Sequence, residues 1–300
     1  MRRRSFIFAA LIASVVLLPA AGAHAGDARL KVVASFSILG DMVRNVGGDR
    51  VTVTALVGPD GDTHVFEPTP ADAKAVAAAD VVFVNGLGLE GWMGRLIESS
   101  AYKGPLVVAS NGVASRTMEE GGAEITDPHA WQDLRNGHIY VQNIADALAA
   151  ADQKGAEDYR AAASAYTAQI EAKDAWVRGE LRDVPSGRRR IITSHDAFGY
   201  FGAAYGVTFL APVGVSTEAE PSAAGIAQLI RQMKSEGIKV VFLENMASPK
   251  LVETLASEAR ARVGGTLFSD ALSPPGGPAD TYLKMFDNNV PQLKAAMLGM

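Results

Sequence analysis

Five histidines occur in this 300-residue chain, and four remain once His24, in an N-terminal leader, is set aside. Three of the four stand where a strand should just have ended or in an irregular loop. His64 follows VTVTALVGPDGDT, His129 lies in TDPHAWQD, and His195 closes RRIITSH. Neutral imidazole is the commonest protein ligand for zinc-like ions. The chain has no cysteine, so any metal must be held by His, Asp or Glu. A fourth donor is needed to close a tetrahedron. Asp270, in LFSDAL at the end of the last predicted strand, is the candidate, and it could equally cap the turn that follows. His138, in NGHIY at the start of a predicted helix, stands apart and reads as a capping or packing residue.

The elements that must position these residues alternate in type. KVVASF, VTVTALV, DVVFVNG and PLVVAS are short β-branched runs separated by helical stretches such as ILGDMVRNVGG and PTPADAKAVAAAD. RRIITSH, VTFLAPVG, VVFLEN and TLFSDAL repeat the theme in the second half. This alternation predicts an α/β fold of two lobes, each a mostly parallel sheet flanked by helices. In open parallel sheets, ligands bind beyond the carboxyl ends of strands, which is where His64, His129 and His195 fall. Between the lobes, from about Asp152 to Asp183, the residues Tyr159, Ala163, Tyr166, Ile170, Val177 and Leu181 recur at three- and four-residue steps. The spacing predicts one amphipathic helix, interrupted by Lys173 and Asp174. About 30 residues would make a rod of roughly 45 Å joining the lobes, and a stiff one, so little lobe motion is expected on ligand binding. The expected division is a leader over 1–25, an N-terminal lobe over 26–151, the linking helix over 152–187 and a C-terminal lobe over 188–300.

The leader MRRRSFIFAALIASVVLLPAAGAHA has a cationic start, an apolar run and small residues at Ala23 and Ala25. It reads as a secretory signal peptide cleaved after Ala25, because the apolar run is shorter than the roughly 20 residues that span a bilayer. Arg3 and Arg4 leave Sec and twin-arginine export both open. Without cysteine, no acylated residue can tether the chain at the cleavage site, so a periplasmic monomer is expected. The formal net charge of -5 and the absence of any long basic stretch exclude a nucleic-acid partner.

Two motifs resemble catalytic signatures. GLGLEG, Gly86 to Gly91, matches G-x-G-x-x-G but lacks the acidic residue about 20 positions on, and its glycines fit a tight strand-to-helix turn better. Ser194, His195 and Asp196 are adjacent, and adjacent side chains cannot form a serine–histidine–aspartate relay. A zinc hydrolase with Glu67 or Glu244 as base is the remaining enzymatic alternative. It requires an open coordination position, which Asp270 would close. A surface adhesin on the same fold is a third class, for which the ligand set and the missing anchor give no support.

HVFEPTP, NGLGLEGW, DPHAWQD, SHDAFGYF, GVSTEAEPSA and FSDAL…TYLKMFDNN, in this order and at these separations, resemble the zinc- and manganese-binding solute receptors of bacterial ABC importers over nearly all of the mature chain. The resemblance implies a long backbone helix, a cleft between lobes, an inner-membrane ABC permease as partner, and His64, His129, His195 and Asp270 as ligands of one transported ion. Family members with glutamate in place of His195 resemble manganese receptors, whereas three imidazoles and one carboxylate suit zinc. Zinc is therefore the expected ion and manganese the alternative. The histidine-rich loop of many zinc receptors is replaced here by SRTMEEGGAEITD. Its Glu119, Glu120 and Glu124 could guide cations or a periplasmic metal donor, or form a solvated loop. Glu67 could orient His64 or face solvent.

Overall fold

A computed structural model describes residues 29–212, 214 and 223–300. The leader with its expected cleavage after Ala25, and residues 215–222 of GVSTEAEPSA, lie outside the described residues. The first lobe opens with β1 (Leu30–Phe36), α1 (Ser37–Gly47), β2 (Val51–Val57), α2 (Pro70–Ala77), β3 (Val81–Val84), α3 (Met93–Ser100) and β4 (Leu106–Val108). A two-stranded hairpin, β5 (Thr117–Glu120) and β6 (Ala123–Thr126), precedes α4 (Leu134–Ala151) and the long α5 (Ala156–Leu181). The second lobe comprises β7 (Arg190–Ile192), α6 (Gly199–Tyr205), β8 (Thr208–Leu210), α7 (Ala223–Glu236), β9 (Val240–Glu244), α8 (Pro249–Ala259), β10 (Arg262–Leu267) and α9 (Tyr282–Leu298). Among the described residues no helix is long and apolar enough to cross a membrane.

Both four-stranded sheets are wholly parallel, in the orders β2-β1-β3-β4 and β10-β9-β7-β8. Counted within each lobe, the second, first, third and fourth strands lie side by side in both, so the two sheets share one topology. Strands covered by helices on both faces are apolar nearly throughout. Val32, Val33, Ala34 and Phe36 of β1 and all of β3 are buried accordingly. The carboxyl ends of both sheets are therefore free to carry polar loops, while the faces make the core.

Local chemistry sets the helix that follows His64. Pro70 occupies the first helical position of α2, where its missing N–H costs nothing. Thr69 and Asp72 form a reciprocal capping box, with the Thr69 N–H donating to the Asp72 carboxylate at 2.7 Å.

The helix α5 buries Tyr159, Ala163, Tyr166, Ile170, Val177 and Leu181, the whole of the predicted stripe. It is shorter than expected, 26 residues or about 39 Å. A tight turn at Gln153–Gly155 precedes it, and across this turn the Tyr159 hydroxyl of α5 donates to Asp152 at 3.0 Å. Its N-terminal part packs on α1 and α4, and its C-terminal part on α9 and α6, so one rod touches both lobes. Lys173 and Asp174 break the stripe where the rod reaches the second lobe. Lys173 pairs with Asp287 of α9, and Asp174 accepts from the Tyr205 hydroxyl at 2.8 Å.

The acidic segment after β4 is an antiparallel hairpin and not a loop. Gly121 and Gly122 both take positive φ, 60° and 83°, the conformation that a two-residue hairpin turn demands. Glu119 faces Glu124 directly across the pair. Both are exposed, which sets two like charges side by side at a cost that solvent reduces.

Candidate metal site

Three loops and one turn deliver the predicted residues to a single point at the carboxyl ends of the two sheets. His64 comes from the loop after β2, His129 from the turn after β6, His195 from the end of β7, and Asp270 from the segment after β10. One ligand atom from each lies within 4.8 Å of all the others. His129, His195 and Asp270 are buried, and the His64 side chain is 5% exposed. Asp270 is not a helix cap, since α9 begins only at Tyr282.

Asp270 Oδ2 is the centre of the cluster. It lies 3.1 Å from His64 Nε2, 2.9 Å from His195 Nε2 and 3.7 Å from His129 Nε2, and the His64 and His129 Nε2 atoms are 3.3 Å apart. A tetrahedral ion with bonds of about 2.05 Å sets neighbouring donor atoms about 3.3 Å apart. The second oxygen, Asp270 Oδ1, is buried without a hydrogen-bond partner.

A carboxylate holds the backbone N–H of each histidine. His64 N donates to Asp62 at 2.9 Å, His129 N to Asp127 at 3.0 Å, and His195 N to Glu244 at 2.9 Å. The first two are Asp-x-His turns, in which an aspartate bonds the N–H two residues on. Asp127 and Glu244 also stand behind the rings. Asp127 Oδ1 is 2.9 Å from His129 Nδ1. Glu244 Oε2 is 2.7 Å from His195 Nδ1, off the line of an ideal hydrogen bond. A carboxylate at Nδ1 fixes the tautomer that leaves Nε2 free to coordinate.

These neighbours set the charge of the metal-free site. Burial pulls the His129 pKa down, but Asp270 and Asp127 outweigh it and raise it to about 9. Burial likewise opposes the charge on His195, yet Glu244 and Asp270 hold its pKa well above the usual histidine value. For Asp270, burial raises the pKa, and His195 and His129 overcome this and hold it well below the usual carboxylate range. The metal-free pocket is thus a network of buried carboxylates and imidazolium groups.

Outer contacts hold the loops. The Trp92 indole N–H donates to the Thr63 carbonyl at 2.8 Å, next to His64, and its ring packs on Phe66. Asn85 donates to the Pro128 carbonyl at 2.9 Å, next to His129. Arg116 Nη1 lies 3.6 Å from Asp127 Oδ2, and Gly199 leaves the space for this pair. A methyl group at residue 199 would fall 2.1 Å from Arg116 Nη1 and 2.7 Å from Asp127 Oδ2. Gly199→Ala is therefore expected to displace Asp127 and reduce metal affinity by about 10-fold, the low end for loss of a group that orients a ligand. Competitive titration checks it. Unchanged affinity in the folded variant would show that Asp127 does not orient His129.

The remaining polar candidates lie elsewhere. Glu67 is exposed, and the His64 ring faces Asp270 and His129 instead. His138 sits on α4 with Nδ1 3.8 Å from Glu171 of α5. Glu244 is fully buried, and its Oε1 takes the Ser194 hydroxyl at 2.7 Å as well as His195 N, so it serves the histidine loop and faces no substrate space. The glycine-rich turn GLGLEG is already occupied by a carboxyl group of the protein's own. Glu90 accepts from Asn85 N at 2.6 Å and Gly86 N at 3.1 Å, the N–H groups a phosphate would require, and from the Ser35 hydroxyl at 2.6 Å. The roles of Asp127, Glu244 and Asp62 behind the histidines are not evident from the sequence alone. The Asp-x-His spacing at Asp62 and Asp127 was the available signal.

A two-lobed α/β receptor with a buried His/Asp cluster in its cleft is the class that this geometry defines. The zinc-uptake complex component A (ZnuA) periplasmic family matches residues 32–296, and the chain belongs to that family, a group of metal-binding receptors of ABC importers and not of enzymes. It is 35% identical over 283 residues to the manganese-binding lipoprotein MntA of Halalkalibacterium halodurans, covering 92% of this chain and 93% of that one. It is 34% identical over 266 residues to the iron-binding protein YfeA of Yersinia pestis, covering 87% and 84%. Among solved structures, the periplasmic zinc-binding protein TroA of Treponema pallidum superposes with a TM-score of 0.84 at 30% identity, over 90% of this chain and 99% of that one.

Proposed function

We propose that His64, His129, His195 and Asp270 hold one zinc ion, which the mature protein, cleaved after Ala25, captures in the periplasm and delivers as a monomer to an inner-membrane ABC permease. The observation that carries this reading is the convergence of three Nε2 atoms and one carboxylate oxygen within 4.8 Å. Three imidazoles and one carboxylate are a borderline donor set of the kind zinc takes. The ion and its four ligands carry a formal charge of about +1, which the buried Asp127 and Glu244 offset from behind the rings. With four protein ligands no position is left for a nucleophilic water, which agrees with a receptor. Release then requires the permease to disturb the lobes, because a closed site exchanges poorly.

Manganese is the alternative ion. The manganese- and iron-binding names of MntA and YfeA support it, and so does the buried Asp270 Oδ1, a second hard oxygen on the same side chain that has no hydrogen-bond partner. Metal analysis and competitive zinc and manganese titration of the mature protein separate the two. Zinc is expected to bind more tightly, and His64→Ala, His129→Ala and His195→Ala each to weaken it. Unchanged zinc affinity in all three variants would overturn the site. Manganese binding as tight as zinc would overturn the choice of ion.

A further inference from the structure

Asp270 follows the last strand of the second lobe, but the polar contacts of its segment lead elsewhere. The bonds of the second lobe to this stretch end at Phe268, whose N–H and carbonyl both pair with Asn289 of α9 at 3.0 and 2.7 Å. Between Ser269 and Leu272 the backbone partners belong mostly to the first lobe. The Ser269 carbonyl accepts two N–H groups, from the Trp131 indole and from the Gln132 amide, both at 2.8 Å. Leu272 N donates to Ser37 Oγ at 3.0 Å, and the Leu272 carbonyl accepts from Asp60 N at 3.0 Å. At the far end Tyr282 N donates to Asp41 at 2.9 Å, and the Tyr282 hydroxyl to the Trp131 carbonyl at 2.5 Å. Against these, among the described residues, the second lobe gives Asp270 the His195 contact, brings Glu244 to the Ser269 side chain, and makes one further bond between Ser269 and Leu272. Asn245 Nδ2 reaches the Ala271 carbonyl at 3.3 Å, and the same amide bonds Asp60 of the first lobe at 2.7 Å.

We propose that Trp131 and Gln132 are positioning residues for Asp270, clamping it to the first lobe, so that three of the four ligands ride on one body and the second lobe brings His195 alone. The clamp acts through the peptide next to the ligand. Ser269 and Asp270 share a peptide unit, and that unit's carbonyl oxygen is fixed by two donors separated from His129 by only two and three residues. The Trp131 ring is itself seated on Phe36 of β1, with centroids 4.9 Å apart, so the clamp rests on the first sheet. His195 is anchored differently, by its N–H on Glu244 at the end of β9. Any displacement of the lobes is then felt at the ion as the withdrawal of one imidazole from a retained set of three. A partner that pulls on the second lobe would open a single coordination position without dismantling the site.

This rests on the metal-receptor reading, and cobalt(II), whose visible bands report coordination geometry, tests both. It is titrated into the mature wild type, Gln132→Met, Trp131→Phe/Gln132→Met and His195→Ala, and into His195→Ala combined with Gln132→Met. The clamp variants are expected to release cobalt about 10-fold faster or more, with altered bands, a loss of the size that goes with removing an orienting partner. His195→Ala should retain a weaker three-ligand complex, which the added Gln132→Met abolishes. Gln132→Met alone keeps the test intact if the double clamp variant fails to fold. Wild-type bands and release rates in Gln132→Met, or a residual complex in His195→Ala that is indifferent to Gln132→Met, overturn the clamp. A wild type that takes up no cobalt overturns the receptor reading and the clamp with it.

Discussion

Replacing Asp270 with alanine is expected to lower metal affinity on the order of 10³-fold, beyond the roughly 10- to 100-fold that loss of an orienting partner costs. It should also destabilise the metal-free protein by about 3–5 kcal/mol near pH 6, the range for breaking a buried charge pair. Both effects come from one atom. Asp270 Oδ2 approaches all three imidazoles, so its loss would remove the one charged ligand proposed for the ion and the counter-charge of the empty pocket. The pH dependence has a definite sign. The pKa of His129 is raised to about 9 from an unfolded value of about 6.5. Its contribution to stability is therefore fully present below about 6.5 and is lost as the pH rises through about 9. The stability penalty of Asp270→Ala should then be largest near pH 6 and much smaller at pH 9.5. Urea unfolding of the metal-free proteins at both values measures it. A penalty independent of pH would mean that the imidazoles are not charged in the empty site. Asp270→Asn separates charge from volume, since it keeps the shape and should lose nearly as much affinity.

The two sheets were legible because their strands are buried on both faces. Runs such as KVVASF and DVVFVNG are apolar throughout, and no alternation had to be resolved. The stripe of α5 was legible for the matching reason, a single buried face on a long helix. The hairpin was not. TMEE and AEIT are charged four-residue strands with exposed positions, and their one signal was the pair Gly121–Gly122, which also fits a loop. At the site, the types of His64, His129, His195 and Asp270 and their positions at strand ends or in an irregular loop marked them as candidates, and the fold brings their donor atoms within 4.8 Å of one another. Their supports were legible only where they are local. Asp62 and Asp127 lie two residues from their histidines, whereas Glu244 lies 49 residues from His195 and meets it because β7 and β9 are neighbours. Strand order is a property of the whole lobe, so that contact and the reach of Trp131 and Gln132 to Ser269 follow from packing and not from spacing. The supports matter to function, because the carboxylates behind the rings change how the ligands titrate.

Metal affinity is accordingly expected to rise steeply with pH through neutrality and to level off only above about 9, not near the 6.5 of an unperturbed histidine. At pH 7 the metal-free protein holds protons on His129, with its pKa raised to about 9, and on His195, held well above the usual value. An imidazole must be neutral to coordinate, so binding expels these protons. About two protons released per ion correspond to an apparent affinity that changes about 100-fold per pH unit, or on the order of 10⁴-fold between pH 7 and pH 5. Calorimetry in buffers of different ionisation enthalpy counts the protons, and competitive zinc titrations at pH 5.5, 7 and 9 give the slope. Release of no protons at pH 7, or affinity flat between pH 7 and 9, would show that the empty pocket is uncharged. Asp127→Asn supplies the internal control. Removing this carboxylate takes away one of the two groups that raise the His129 pKa, so the proton count near pH 9 should fall while Asp270 still binds the ion. The same linkage loosens the hold on the ion as the pH falls: acidification restores the imidazolium–carboxylate contacts of His129 and His195 with Asp270, and these compete with the ion for the same donor atoms.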